Sequence, residues 1–295
     1  MKPWFLMVIA LAATGVPAAD HHEQNSLFRH LTQAGVPLGP GVQAKLPLPA
    51  MADGLSAAQQ RRVLQELEGR QADVEELLRR SPVTPFVLHF KEVTHETNQE
   101  PGRAIDLAFV AFGRFDQLTR SDFLDEMLNS GRKDARIQPL PAAAAQARGL
   151  KALPGETERT AWAHVSLALM DRVELRGTSR TVWSRTADSI LVAAVLEPAC
   201  TRDPELPNVW QVQQRGPDGM TQPVGPAQPY EALGYYLKIT RLHEPADALF
   251  VEWHLVYLEP RDWFDGANLL RSKLPIVLQT KIRGFRRELM RALER

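Results

Sequence analysis

The sequence predicts an α+β protein in which a mostly antiparallel sheet packs on a long C-terminal helix, with a helical extension ahead of the sheet. Three observations carry that expectation. Apolar residues at helical spacing run as far as Ser81, strand-like composition takes over after Pro85, and the segment from Gly266 returns to one unbroken helical stripe.

The expected organisation is a leader over residues 1–19, a helical extension with a proline-rich arm over 20–81, and an α+β domain over 82–295. The leader "MKPWFLMVIALAATGVPAAD" sets Lys2 before an apolar core from Trp4 to Ala13 and ends on the small residues Ala18 and Ala19, the layout of a cleavable export signal. Its apolar run falls short of the roughly 20 residues that a membrane helix needs. The chain is therefore expected to be exported, periplasmic or extracellular, and soluble. Cys200 is the only cysteine, which excludes an intramolecular disulfide and a four-cysteine zinc site. With 35 basic and 35 acidic residues there is no global attraction for nucleic acid, and none is expected as a partner.

In the extension, Leu27, Phe28 and Leu31 form a short apolar stripe that Gly35 can end. The stretch "GVPLGPGVQAKLPLPAMADG" lacks periodicity and is expected to run extended over a surface. Ser56 with Gln59 three residues on is a capping box for the helix "AAQQRRVLQELEG", with Gly69 as the stop, and Val74, Leu77 and Leu78 give a further turn before Pro82.

Strands are expected over Phe86–Val93, Ala104–Phe115, Thr160–Leu175, Thr181–Leu196, Val209–Gln214, Tyr230–Leu242 and Leu249–Leu258, with helices in "RSDFLDEMLNSG" (120–131) and "PAAAAQARGL" (141–150). Gly177 in "RGTSR" suits a two-residue hairpin turn, which would set Arg172 opposite Trp183. A three-residue loop in "HEPAD" sets Lys238 opposite Glu252 and Tyr236 opposite His254. Leu237, Ile239, Val251 and Trp253 then share the other, apolar face, and the charged face is expected to be solvated.

The last helix carries Leu270, Leu274, Val277, Leu278, Ile282, Phe285, Leu289 and Leu293 on one stripe. Asp265 can cap it, and Pro275 is expected to kink it unless a second helical segment starts there. Its other side holds Arg271, Lys273, Lys281, Arg283, Arg286, Arg287, Arg291 and Arg295, either a solvated face or one that meets an anionic membrane surface.

The order strand, helices, antiparallel strands and closing helix, ending in "YLEPRDWFDGANLLRSKLPIVLQTKIRGFRREL", resembles the START and polyketide-cyclase-like helix-grip superfamily. The resemblance implies a curved sheet wrapped round the closing helix, with an apolar cavity that holds a lipid, sterol, polyketide or other apolar small molecule, commonly without catalysis. The implied wall is Tyr235, Trp253 and Leu255 from the sheet and Leu274, Leu278 and Phe285 from the helix. The strand at Phe86–Val93 and the helical N-terminal extension depart from the pattern. On physical chemistry alone a filled core is the default outcome, with a ligand cavity as the alternative.

Other chemistry finds little support. No nucleophile elbow and no phosphate-cradling glycine loop is present, and no cofactor is expected. In "HFKEVTHE" about 20 Å of strand would part His89 from His95, too far for one ion. His21 and His22 are expected in a solvated tail, and Cys200 has no histidine nearby in sequence. His254 with Glu252 and Tyr236 is the best acid–base group, giving a cyclase- or hydrolase-type enzyme as the alternative to a binding protein. A third reading is an envelope interaction protein with a filled core that holds a partner with the arm Val36–Gly54.

Overall fold

Alternating apolar residues from Val87 onward build one sheet, and the segments on either side of it in sequence cover its two faces. A computed structural model of the chain describes residues 21–39, 41–67, 73–93, 102–118, 135–150, 160–216, 220–230, 232–264 and 269–294. The leader, the stop at Gly69, the loop after Val93, the helix expected at 120–131 and the cap Asp265 lie outside the described residues.

The described residues open with a 3-10 turn, His21–Gln24, and then a short helix α1 (Ser26–Arg29), capped by the Asn25 side chain, which accepts from the Phe28 N–H. A π-helical turn, His30–Ala34, follows and stops at Gly35. Gly35 has φ +92°, and a Cβ there would stand 2.8 Å from the Ala44 carbonyl group, so only glycine fits. The arm is not featureless: β1 (Val36–Gly39) and β2 (Val42–Ala44) pair antiparallel. Helix α2 (Ala57–Leu67) begins at the expected capping box, where Ser56 N–H donates to Gln59 Oε1 at 2.9 Å, and α3 (Val74–Leu77) follows.

The sheet then forms from β3 (Val87–Val93), β4 (Gly102–Phe112), β5 (Ala135–Leu140), β6 (Thr160–Leu169), β7 (Val173–Arg185), β8 (Ser189–Leu196), β9 (Val209–Arg215), β10 (Thr221–Pro229), β11 (Leu233–Arg241) and β12 (Ala248–Leu258). Among the described residues, two short α-helices interrupt it, α4 (Phe115–Leu118) and α5 (Ala142–Ala147). Among the described residues the strand order is β10-β9-β7-β8-β11-β12-β4-β3, with β6 pairing both β7 and β5 and every pair antiparallel. Helix α6 (Leu269–Leu293) closes the chain as one element with Pro275 inside it.

Two expectations need correction. Gly177 does not turn the chain: it lies within β7 opposite Val165, and the β6–β7 connection is at Met170 and Asp171, both with φ near +55°. Trp183 therefore faces Val192 of β8, not Arg172. Strand β10 carries three prolines and no apolar alternation, and it stands because it is an edge strand paired on one side to β9. The β11–β12 register is as expected, with Lys238 opposite Glu252 and Tyr236 opposite His254.

Candidate functional site

The two faces of β11 and β12 are buried in the reverse of the expected sense. On the face turned away from α6, Tyr236 and Lys238 are 0 % exposed, Glu252 is 1 % and His254 is 9 %. On the face turned toward α6, Leu233, Tyr235, Leu237, Trp253 and Leu255 are only half-buried. The polar side is sealed and the apolar side stays partly open.

What seals the polar side is the arm. Leu27, Phe28, Leu31, Val36, Leu38, Ala44 and Leu46 form one apolar cluster with Val182, Leu191, Ala193, Val195, Tyr236 and Val256, while Met51 and Leu64 join Val110, Phe112 and Phe250. The fit is close at Gly234, where a Cβ would meet Val36 at 2.5 Å and Leu31 at 2.9 Å. Leu48, at 69 % exposed, is the large apolar residue of the arm that faces solvent among the described residues. The arm Val36–Gly54 is thus spent largely on its own sheet.

A polar network fastens it. Lys238 Nζ donates to the Met51 carbonyl at 2.9 Å and lies 3.0 Å from Asp53 Oδ1. Asp53 Oδ1 also accepts from Ser189 Oγ at 2.6 Å. That donation leaves Ser189 Oγ to accept from His22 Nε2–H at 2.6 Å, and His22 Nδ1 is hydrogen-bonded with Ser184 Oγ at 2.8 Å. Burial raises the Asp53 carboxyl, but the Lys238 charge and the Ser189 hydroxyl outweigh it and leave it below its ordinary range. His22 is therefore no solvated tail: it is 0 % exposed and joins the arm to β7 and β8.

Beside this network, Glu252 accepts from the backbone N–H groups of Ala50 at 2.7 Å and Met51 at 3.1 Å. His254 Nδ1 lies 2.7 Å from Asp106 Oδ1, and its Nε2 stands 3.8 Å from Glu252 Oε1. Burial lowers the His254 imidazole, yet the Asp106 and Glu252 carboxylates more than offset this and hold it above its ordinary value. Burial raises the Asp106 carboxyl in turn, and its bonds from His254 and Lys91 bring it down to about 2. Tyr236 donates its hydroxyl to the Pro47 carbonyl at 2.8 Å. His254, Glu252 and Tyr236 thus lie together as expected, but as fastenings beneath the arm and not along a pocket.

The open side is built from the other parity of the same strands. Leu107 and Phe109 of β4, Val251 of β12, Ile239 of β11 and Val192 of β8 pack with Ile282 and Leu289 of α6. Ile105, Tyr257, Trp263, Phe264 and Leu270 close the opposite end, where Trp263 stacks on Tyr257 at 6.4 Å. Between these two plugs sit the six expected wall residues. Trp253, Leu278 and Phe285 join the first cluster, Leu255 and Leu274 the second, and Tyr235 meets Trp253 edge-on at 6.4 Å. All six are half-buried. Val277, expected on this stripe, is instead 41 % exposed beside Ile276 at 58 %. Arg286 leaves the basic side of α6: it is 2 % exposed, donates to the Val110, Thr84 and Pro85 carbonyls, and burial lowers it to about 10.

Among the described residues, no group of three His, Cys, Asp or Glu side chains is placed to hold a metal, and no helix is long and apolar enough to cross a membrane. His89 is exposed, and His95 lies outside the described residues. Cys200 is buried, and burial raises its thiol.

No family model and no curated protein matches the sequence. Solved structures do match. The human StarD13 (DLC2) lipid transfer and protein localization domain aligns with a TM-score of 0.39 and 7 % identity over 68 % of this chain and 89 % of its own. Human STARD10 aligns with a TM-score of 0.35 and 8 % identity, over 84 % of this chain and 83 % of its own. The large antiparallel sheet with a C-terminal helix is the α+β arrangement expected from the sequence.

Proposed function

We propose that this protein binds an apolar, lipid-like molecule between the sheet and α6 and performs no reaction on it. The observation that carries the reading is the half-open apolar face of β11 and β12 beneath the half-buried Leu274, Leu278 and Phe285. Apolar side chains left partly open to water between two packed ends are an unfavourable arrangement for an empty protein, and an apolar guest removes the cost. The enzyme alternative loses its acid and base, since His254 and Glu252 are under the arm.

Native mass spectrometry of the protein from its own host, with titration by a fluorescent long-chain fatty acid, tests this. A bound apolar mass or saturable uptake is expected, and Leu255→Arg or Leu274→Arg should weaken uptake by about tenfold or more by placing a charge in the space. A bare apo mass together with no saturable uptake would overturn it.

Two further parts of the reading concern location. On the outer side of α6, Ile276 and Val277 lie exposed among Lys273, Arg283 and Arg287, which supports contact with an anionic membrane surface. Sedimentation with phosphatidylglycerol vesicles but not phosphatidylcholine vesicles, lost in Ile276→Asp, is the expected result. Export with cleavage after Ala19 would keep His22 in the folded chain, and N-terminal sequencing of the mature protein checks that position.

A further inference from the structure

On the arm side of β7, away from the groove and from the Lys238 network, lies Arg180. Only 9 % of its surface is exposed. Its Nε is buried without a hydrogen-bond partner, and among the described residues no carboxylate lies within ion-pair distance of it. Directly across the ladder is Trp162 of β6, whose indole Nε1 is likewise buried and unpartnered. Side chains opposite one another on one face of a pair have Cβ atoms about 5 Å apart, so these two orphaned donors share one spot.

Among the described residues, the acids on these strands and the adjoining loop are engaged elsewhere. Glu174 accepts from Ser166 at 2.7 Å and Gln213 at 3.3 Å, and Asp203 pairs with Arg148 at 3.1 Å. The other titratable neighbours are cationic or neutral. Burial and then the Arg180 charge hold the exposed His30 below its ordinary value, while His164, bonded to Thr178 at 3.2 Å, is lowered by burial and by Arg176. A guanidinium whose Nε is this buried, with no acceptor among the described residues, is a costly arrangement that an added acceptor relieves.

We propose that Arg180, with the indole N–H of Trp162 beside it, binds a small oxyanion, phosphate or carboxylate, on the arm side of the sheet. The planar guanidinium offers a two-pronged donor set to such an anion, and the indole N–H adds a third donor from the neighbouring strand. The site is separate from the apolar groove, because the sheet itself stands between them.

Thermal unfolding of the full chain in phosphate-free buffer, with added inorganic phosphate, acetate or chloride at matched ionic strength, tests this. Phosphate or acetate should raise the unfolding temperature beyond the chloride effect, and the stronger of the two identifies the oxyanion class. In Arg180→Met that excess should vanish, with anion binding weaker by about tenfold or more. Without added anion this variant should be at least as stable as the parent, because it removes an uncompensated buried charge. Trp162→Phe keeps the ring but not the N–H and should weaken the anion by about threefold. Phosphate and acetate acting no more than chloride would overturn the site, as would Arg180→Met unfolding below the parent in anion-free buffer, which would mean that the chain itself satisfies this arginine.

Discussion

Lys238 and Glu252 face each other across β11 and β12, and both turn to the arm: the lysine to Asp53 and the Met51 carbonyl, the glutamate to the Ala50 and Met51 N–H groups. With Lys238 and Asp53 both 0 % exposed at the side chain, removal of one partner leaves the other charge uncompensated. Lys238→Met should therefore cost about 3–5 kcal/mol in denaturant unfolding, and Lys238→Met with Asp53→Leu should recover much of it.

The neighbouring His254 and Asp106 pair predicts the pH profile. His254 is held above its ordinary 6.5, so its contribution is full below that value and is lost as pH rises through the folded-state value. Asp106 is depressed from 3.8 to about 2, so its contribution is full above 3.8 and is lost as pH falls toward 2. The unfolding temperature should peak between 3.8 and 6.5, and His254→Gln should flatten the alkaline side of that peak.

At the scale of elements, the arm and α6 are the two covers, and they attach by different means. Helix α6 is held by apolar packing and by Arg286, which ties it to the carbonyls of residues 82–85 and to β4. The arm depends more on single polar contacts. Glu252→Gln leaves one of the two arm N–H groups facing an amide that can turn its NH2 toward them, and it should loosen residues 47–53 by about 1–3 kcal/mol. Hydrogen exchange over those residues should quicken while β4 and β8 stay protected.

The sequence disclosed these elements unevenly, for physical reasons. The "HEPAD" loop length and the period of two set the β11–β12 register, so the partnership of Lys238, Glu252, Tyr236 and His254 was readable. Which face would be buried was not readable, because its cover arrives from about 200 positions earlier in the chain, as in the bond from Ala50 N to Glu252. Gly177 misled because glycine marks turns in isolation. Here it sits within a long strand where a Cβ would strike Leu196 at 2.6 Å. The six wall residues came from the resemblance, and periodicity alone would have assigned them to a filled core.

For the whole molecule, the sheet separates two environments of opposite character, and neighbouring residues on one strand report on both. Leu255 and Val256 of β12 are both apolar, but Leu255 is half-buried toward α6 and Val256 is 1 % exposed beneath the arm in contact with the Leu27 and Tyr236 cluster. A polar side chain at 255 has water within reach. At 256 it displaces packed arm residues with no partner for its amide. Val256→Gln should cost about 3 kcal/mol or more and Leu255→Gln about 1 kcal/mol or less in urea unfolding of lipid-free protein. When a long-chain fatty acid is added at about 100 times its dissociation constant, the parent should gain about 2.7 kcal/mol, whereas Leu255→Gln should gain clearly less at the same concentration. Equal costs at 255 and 256, with no gain from the fatty acid in either background, would mean that both faces of the sheet are closed core and that the space beneath α6 holds nothing but side chains.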